Sequence, residues 1–358
     1  MRVTKSELTI DFEFDLGNIS RGSFAKIDPP LSLLSRPKVW IEAANLFSKT
    51  HYLTPDGEAE VTIDWKDTPA SACVESALGF TMYMRLLSVE QIMKESKRNK
   101  LRYGQPKLDC SVLLRSSVDG EAPRNIATYV VEQFLHDLFL YMNLAAPGSC
   151  DLAGSKFRAK GAEYDDEINL MSWRLESCWN HSLDNGWPKI VYVPLKDVLN
   201  WKKSLGIGCR QIANNRTERA LFALLHVCKN DRYDPPTLLW LSHALEALFD
   251  TPVTLIGTFL QKRIIDFLEV PVAKQKQVKR QCRDFYDLRS SFAHGDLAIA
   301  HPFENEILDP SVQTYRPTLG KSIDFATSVC LSTLQKLIVN RWQEVTFTES
   351  YEGVPLKT

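Results

Sequence analysis

From about residue 210 to residue 345 the sequence carries apolar residues at helical spacing and no strand-like alternation. A run of that kind can bury itself only as packed helices. Residues 217–228 (TERALFALLHVC) open with a Thr cap followed by Glu218 and Arg219, then show an apolar face. Residues 235–249 (PPTLLWLSHALEALF) begin with prolines, which suit a first helical turn. A third helix is expected over 252–268, a fourth over 273–294 closed by Gly295, and a last long one over 321–345. Between the last two lies a connection of more than 20 residues containing Pro302, Pro310 and Pro317. A loop that long inside a compact domain is uncommon and often functional.

The first 208 residues read differently. Residues 8–14 (LTIDFEF) and 60–65 (EVTIDW) alternate apolar and polar, as half-buried strands do. Residues 80–87, 110–114, 172–179 and 189–193 are further strand candidates, and 194–205 a short helix. Residues 125–144 are apolar all round and stop at Pro147 and Gly148, which predicts a buried helix. His136 and Asp137 inside it are expected to be structural. The expected organisation is thus a mixed α+β domain over 1–208, an all-α domain over 209–346 and a tail over 347–358. A chain of 358 residues agrees with about two domains at roughly 150 residues each.

Composition narrows the function classes. Apolar residues make up 44% and charged residues 24%, as in ordinary globular chains. Forty-three Lys and Arg balance 44 Asp and Glu, so global charge gives no affinity for nucleic acid. The N-terminus has no apolar core with a cleavage site and no run of about 18 apolar residues occurs, so neither a signal peptide nor a membrane span is expected. The eight cysteines are scattered without a C-x-x-C pair, the pattern of reduced thiols in a cytoplasmic protein. Cys178 and His181 are the closest approach to a metal pair, and one pair is read as structural. No metal or cofactor is expected.

The most informative segment is the fourth helix. Val278, Cys282, Phe285 and Phe292 form its apolar stripe, and Arg289 sits in that stripe, where a guanidinium is costly unless paired or lining a cleft. Five residues on comes His294, about 140° round a straight helix and close to its end. A last-turn histidine faces the negative end of the helix dipole, and imidazole is the side chain that takes and gives protons near neutrality. The segment 270–295 also holds Lys274, Lys276, Lys279, Arg280, Arg283 and Arg289 against Asp284 and Asp287, a local charge of +4 that the average conceals. In the helix before it, nearly apolar and expected to be buried, only Ser242, His243 and Glu246 are polar. His243 and Glu246 share a side, and Glu246 is a natural bidentate partner for an inward Arg289. His226 is expected to be a packed histidine.

The stretch Tyr286-Asp287-Leu288-Arg289-Ser290-Ser291-Phe292-Ala293-His294-Gly295 resembles the Arg-x-x-x-x-His motif of HEPN domains. Together with the upstream LSHALEALF and the run from Lys262 through Ile265, it is similar to the Apea-like HEPN subgroup, over about residues 210–346. The resemblance implies a HEPN-type helical bundle and a metal-independent endoribonuclease of toxin or anti-phage systems. It would dimerise so that two motifs share a cleft, and it would answer to a protein or phage-derived trigger. Arg289 would stabilise the phosphorane and His294 act as general acid or base. Tyr286, Ser290, Glu246 and His243 would support them, and Lys274, Lys276, Lys279, Arg280 and Arg283 would hold the RNA backbone. Ser290 stands where active members of the wider group often carry Asn, Asp or His. The alternative is a non-catalytic HEPN module that binds RNA or protein.

Overall fold

The computed structural model describes residues 6–15, 31–55, 57–66, 107–116, 124–229, 232–252 and 256–348. Within them the architecture is mixed α+β: a curled antiparallel sheet and nine helices. The strands are β1 (Ser6–Asp15), β2 (Lys49–Thr54), β3 (Gly57–Asp64), β4 (Lys107–Ser116), β5 (Ser155–Ala159) and β6 (Asp166–Ile168). They lie in the order β2-β3-β4-β1-β5-β6. Alternation fixes the register: Phe12 and Phe14 of β1 face inward with Cys110 and Leu114 of β4, Val61 and Ile63 of β3 and Phe157 of β5. A one-residue slip would expose this whole set, and each fully buried large apolar side chain is worth about 1.5–3 kcal/mol.

Two helices pack beside the sheet: α1 (Leu31–Leu46), buried through Trp40 and Ala43, lies against α2 (Arg124–Ala145), which is buried through its second half and touches β3 and β4. Asp137 of α2 is buried against Lys202 Nζ at 3.0 Å and accepts from the Tyr52 hydroxyl at 3.3 Å. Asp137 is thus structural, as expected, and His136 is half-buried with its Nδ1 2.9 Å from the Glu132 carbonyl.

Seven helices follow: α3 (Trp173–Asn185), α4 (Leu195–Ser204), α5 (Arg216–Cys228), α6 (Pro236–Leu248), α7 (Ile256–Phe267), α8 (Val272–His294) and α9 (Val312–Asn340). Helices α5 to α9 pack on one another, with α3 laid along α9. Residues 172–179, expected as a strand, are instead the N-cap Ser172 and the first two turns of α3. Their apparent alternation is a helical face in which Leu175, Cys178 and Trp179 are buried with the charged Arg174 and Glu176. Residues 189–193 form no strand either. Gln335 of α9 takes the place of a neighbouring strand, accepting from the Val191 amide at 3.0 Å and donating to the Val191 carbonyl at 2.8 Å. The same amide group donates to the Leu144 carbonyl at 3.0 Å. The cap of α5 is Asn215, whose side chain accepts from the Glu218 amide at 2.8 Å, and not Thr217, whose hydroxyl donates to the Gln343 carbonyl. Pro317 lies inside α9, on an exposed early turn, so that helix begins earlier than its expected start at residue 321. The strand expected over 80–87 lies outside the described residues.

The hydrophobic core runs without interruption across residue 208. Beyond the backbone link from the Met171 amide to the Cys228 carbonyl at 2.8 Å, α9 touches α2, α3 and α4. Past α9, Phe347 stacks on Phe249 at 6.1 Å between centroids. Among the described residues no helix is long and apolar enough to cross a membrane, and none of the cysteines is paired in a disulfide.

Candidate functional site

Helix α8 divides into two faces. Val278, Cys282 and Phe285 enter the core. Lys276, Lys279, Arg280 and Arg283, at steps of three and four, point to solvent on one side. With Gln261 of α7 they line an open depression of about 770 Å³, in which no carboxylate takes part. Four cations along one helical ridge, none of them in an ion pair among the described residues, form a concentrated positive surface on a chain of net charge −1, with Asp284 and Asp287 following on the same helix. Lys274 does not join them. It is half-buried, and its ammonium donates to the Asn185 carbonyl, tying the start of α8 to the end of α3. The residue was expected to face RNA, but the carbonyl at the end of α3 occupies its charge.

Arg289 leaves the apolar stripe and lies at its edge, with its side chain 31% exposed. Its Nε donates to the Ser242 hydroxyl at 3.3 Å. Glu246 is its carboxylate partner, as the sequence suggested, but Nη2 stands 3.9 Å from Oε1, a loose single contact and not a bidentate fork. That oxygen also accepts the Tyr286 hydroxyl at 3.2 Å. Burial, reinforced by the Glu246 charge, pushes the Tyr286 phenol above its usual pKa range and keeps it a donor. Ser242, Glu246, Tyr286 and Arg289 thus form one half-buried polar seam between α6 and α8. Ser242 was visible in the sequence as a polar residue four before Glu246 on an apolar helix, and that spacing was the available signal for its role.

His294 is exposed in the last turn of α8. Gly295 follows in the left-handed conformation at φ +82° and closes the helix, its amide donating to the Phe292 carbonyl at 3.2 Å while the Asp296 amide reaches the Ser291 carbonyl at 2.8 Å. Ser290 is half-buried beside Arg289. His243 is exposed, not packed in the core, because α6 is open along Leu239, Trp240 and His243. On the far edge of that opening His226 stacks on Trp240 with centroids 3.9 Å apart and rings 6° from parallel. Burial, then the Lys229 charge, lowers the His226 pKa. Cys178 and His181 do not converge: the thiol donates to the Leu175 carbonyl at 3.0 Å, and the His181 ring is partly buried with its pKa lowered by that burial.

The seam can hold a guanidinium beside an exposed imidazole-bearing helix end, next to a basic ridge on the same helix. No family model matches the sequence, and no curated protein or solved structure shows significant similarity to it.

Proposed function

We propose that this chain is a metal-independent endoribonuclease of the HEPN type, belonging to the Apea-like subgroup. The observation that carries the reading is the placement on α8 of an accessible guanidinium, an exposed terminal histidine and a basic ridge whose four cations line a depression without a carboxylate in its wall. RNA would lie along the ridge, its phosphates meeting Lys276, Lys279, Arg280 and Arg283. In the reaction the ribose 2′-oxygen attacks phosphorus, a base accepts the 2′-hydroxyl proton, and an acid protonates the departing 5′-oxygen. The products are a 2′,3′-cyclic phosphate and a free 5′-hydroxyl. Arg289 stabilises the charge gathering on the phosphorane. His294 serves as one proton-transfer group, and its copy in a second subunit as the other. A toxin or anti-phage setting, with a protein or phage-derived trigger, accompanies the reading.

The test is cleavage of RNA in EDTA by the wild type, Arg289→Ala and His294→Ala. Wild-type cleavage lost in both variants supports the assignment. Equal cleavage by all three removes the site, and wild-type cleavage abolished by EDTA removes the metal-free mechanism. A single monomer mass by light scattering at working concentration would remove the shared cleft.

The second reading is a non-catalytic module that binds RNA or protein. The engagement of Arg289 by both Ser242 and Glu246 favours it, since a packing clamp looks the same. It gives salt-sensitive RNA binding without turnover.

A further inference from the structure

The connection between α8 and α9 is pinned at several points. Arg232 donates to the Pro302 carbonyl at 2.7 Å. Arg316 holds Glu304 twice, from Nη2 to its backbone carbonyl at 2.8 Å and from Nε to Oε2 at 2.8 Å. The Phe303 amide donates to His301 Nδ1 at 3.1 Å. Held in this way, the loop forms one side of an open hollow of about 330 Å³ lined by Trp173, Arg232, Tyr233, Phe303, Glu304 and Arg316.

Three observations make this hollow more than a gap in packing. Its walls are aromatic, with Trp173 and Tyr233 edge to face at 5.1 Å between centroids and Phe303 67% exposed across from them. Glu304 is a non-glycine residue at φ +41°, a strained backbone of the kind that gathers at binding sites. Its side chain is only 14% exposed, and while Arg316 takes Oε2, Oε1 carries no hydrogen bond among the described residues. Behind the walls, the buried Arg174 guanidinium lies 4.7 Å from the Trp173 ring and 5.3 Å from the Tyr233 ring, and its three nitrogens lack hydrogen-bond partners among the described residues.

Flat aromatic walls, an oriented carboxylate oxygen and two rim guanidiniums suit a flat ring that carries adjacent N–H donors and a phosphate. We propose that the hollow binds a guanine base. Its N1–H and exocyclic amine donate to the Glu304 carboxylate, which Arg316 holds in place, its ring packs on the aromatic walls, and the positive charge of the rim favours the attached phosphate. A methylated ammonium would also like aromatic walls, but the lining carries two guanidiniums against one carboxylate. Helices α6 and α8 run antiparallel, since Ser242 meets Arg289 and Glu246 meets Tyr286. The His294 end of α8 therefore lies toward the start of α6, which Tyr233 precedes by a few residues. The same guanine could belong to an RNA chain or to a free nucleotide. In the first case the hollow sets the cleavage position, and that part rests on the ribonuclease reading.

The test uses the full chain and 5′-GMP, 5′-AMP and tetramethylammonium as probes in calorimetry. Wild type and His294→Ala are expected to bind GMP about tenfold or more tighter than AMP, the discrimination of a matched pair of hydrogen bonds. Glu304→Gln should erase that preference. Phe303→Ala, an exposed position that leaves the fold intact, should weaken both nucleotides several-fold, and thermal melts check both variants. Equal GMP and AMP affinity, GMP binding unchanged in both variants, or tetramethylammonium binding in place of GMP would each overturn the proposal. Oligonucleotides with a single guanine separate the two sources. Cleavage fixed by the guanine in wild type and scattered in Glu304→Gln places RNA in the hollow. GMP preference without any RNA cleavage keeps the hollow as a free-nucleotide site and removes the ribonuclease reading. RNA cleavage with neither guanine preference nor GMP binding removes the hollow alone.

Discussion

Arg289 gives its Nε proton to the Ser242 hydroxyl across 3.3 Å, and this contact, more than the 3.9 Å approach to Glu246, sets the plane of the guanidinium. Lysine keeps a positive charge but has no Nε–H at that point on its stem. Arg289→Lys is therefore expected to lower single-turnover RNA cleavage by about a hundredfold, the scale of losing one oriented electrostatic donor. The melting temperature should scarcely move, because a half-exposed pair of this kind is worth about 0–1 kcal/mol. Cleavage equal to wild type would show that charge alone suffices there.

The basic ridge makes a prediction in salt. Changing Lys276, Lys279 and Arg280 together to Gln removes three of the four cations that line the depression. Each phosphate contact to single-stranded RNA contributes about 0.7 to the slope of log K against log salt. The slope should therefore fall by roughly 2 in a fluorescence titration over several salt concentrations. An unchanged slope would remove the ridge as an RNA-binding surface.

The buried pair of Asp137 and Lys202 has both side chains 7% exposed. Removing one charge strands the other away from water. Lys202→Met is expected to cost about 3–5 kcal/mol in urea unfolding. The double variant Asp137→Leu with Lys202→Met should recover much of that loss, since two apolar groups leave no stranded ion. A double variant as unstable as the single one would show that the Tyr52 hydroxyl, which donates to Asp137, dominates the site.

Asp324 carries a pH dependence. Burial raises its carboxyl to about 6, against hydrogen bonds from Tyr233 and Ser177 and the Arg174 charge, which pull it down. An unfolded aspartate titrates near 3.9. Between about pH 4 and 6 the folded chain therefore keeps a proton that the unfolded chain has released, and stability falls as pH rises through that window. The stability of wild type relative to Asp324→Asn should fall by roughly 2–3 kcal/mol from pH 4 to 7 and be level above it. A difference that is constant with pH would mean that the carboxyl titrates normally.

Much of this could be read along the chain. Alternation in LTIDFEF named β1 because one face of the sheet is wet, and Gly295 marked the end of α8 because the backbone there is left-handed. Where tertiary partners decide, the sequence pattern failed. Arg174 is buried between the ring of its neighbour Trp173 and that of the distant Tyr233, so a charged residue that looked outward in a strand lies inward on α3. Trp240 and His243 looked internal because their helix is apolar, yet His243 is exposed and Trp240 is covered only in part, with the His226 ring stacked on it. The cations of α8 were legible as a group. Which of them is tied down was not, because the Asn185 carbonyl that holds Lys274 lies far back in the chain.

Gln335 joins the end of α2 to the segment around Val191 with one amide group, from near the C-terminal end of a helix that also carries part of the bundle core. With the Met171–Cys228 backbone link and the shared core beside it, loosening any one of these contacts leaves the two halves held by the others. A message from the sheet to the end of α8 would then arrive as a lean of packed helices, through α9 and through α3, whose Asn185 carbonyl holds Lys274, so a trigger would work as a wedge and not as a key that unhooks a strap.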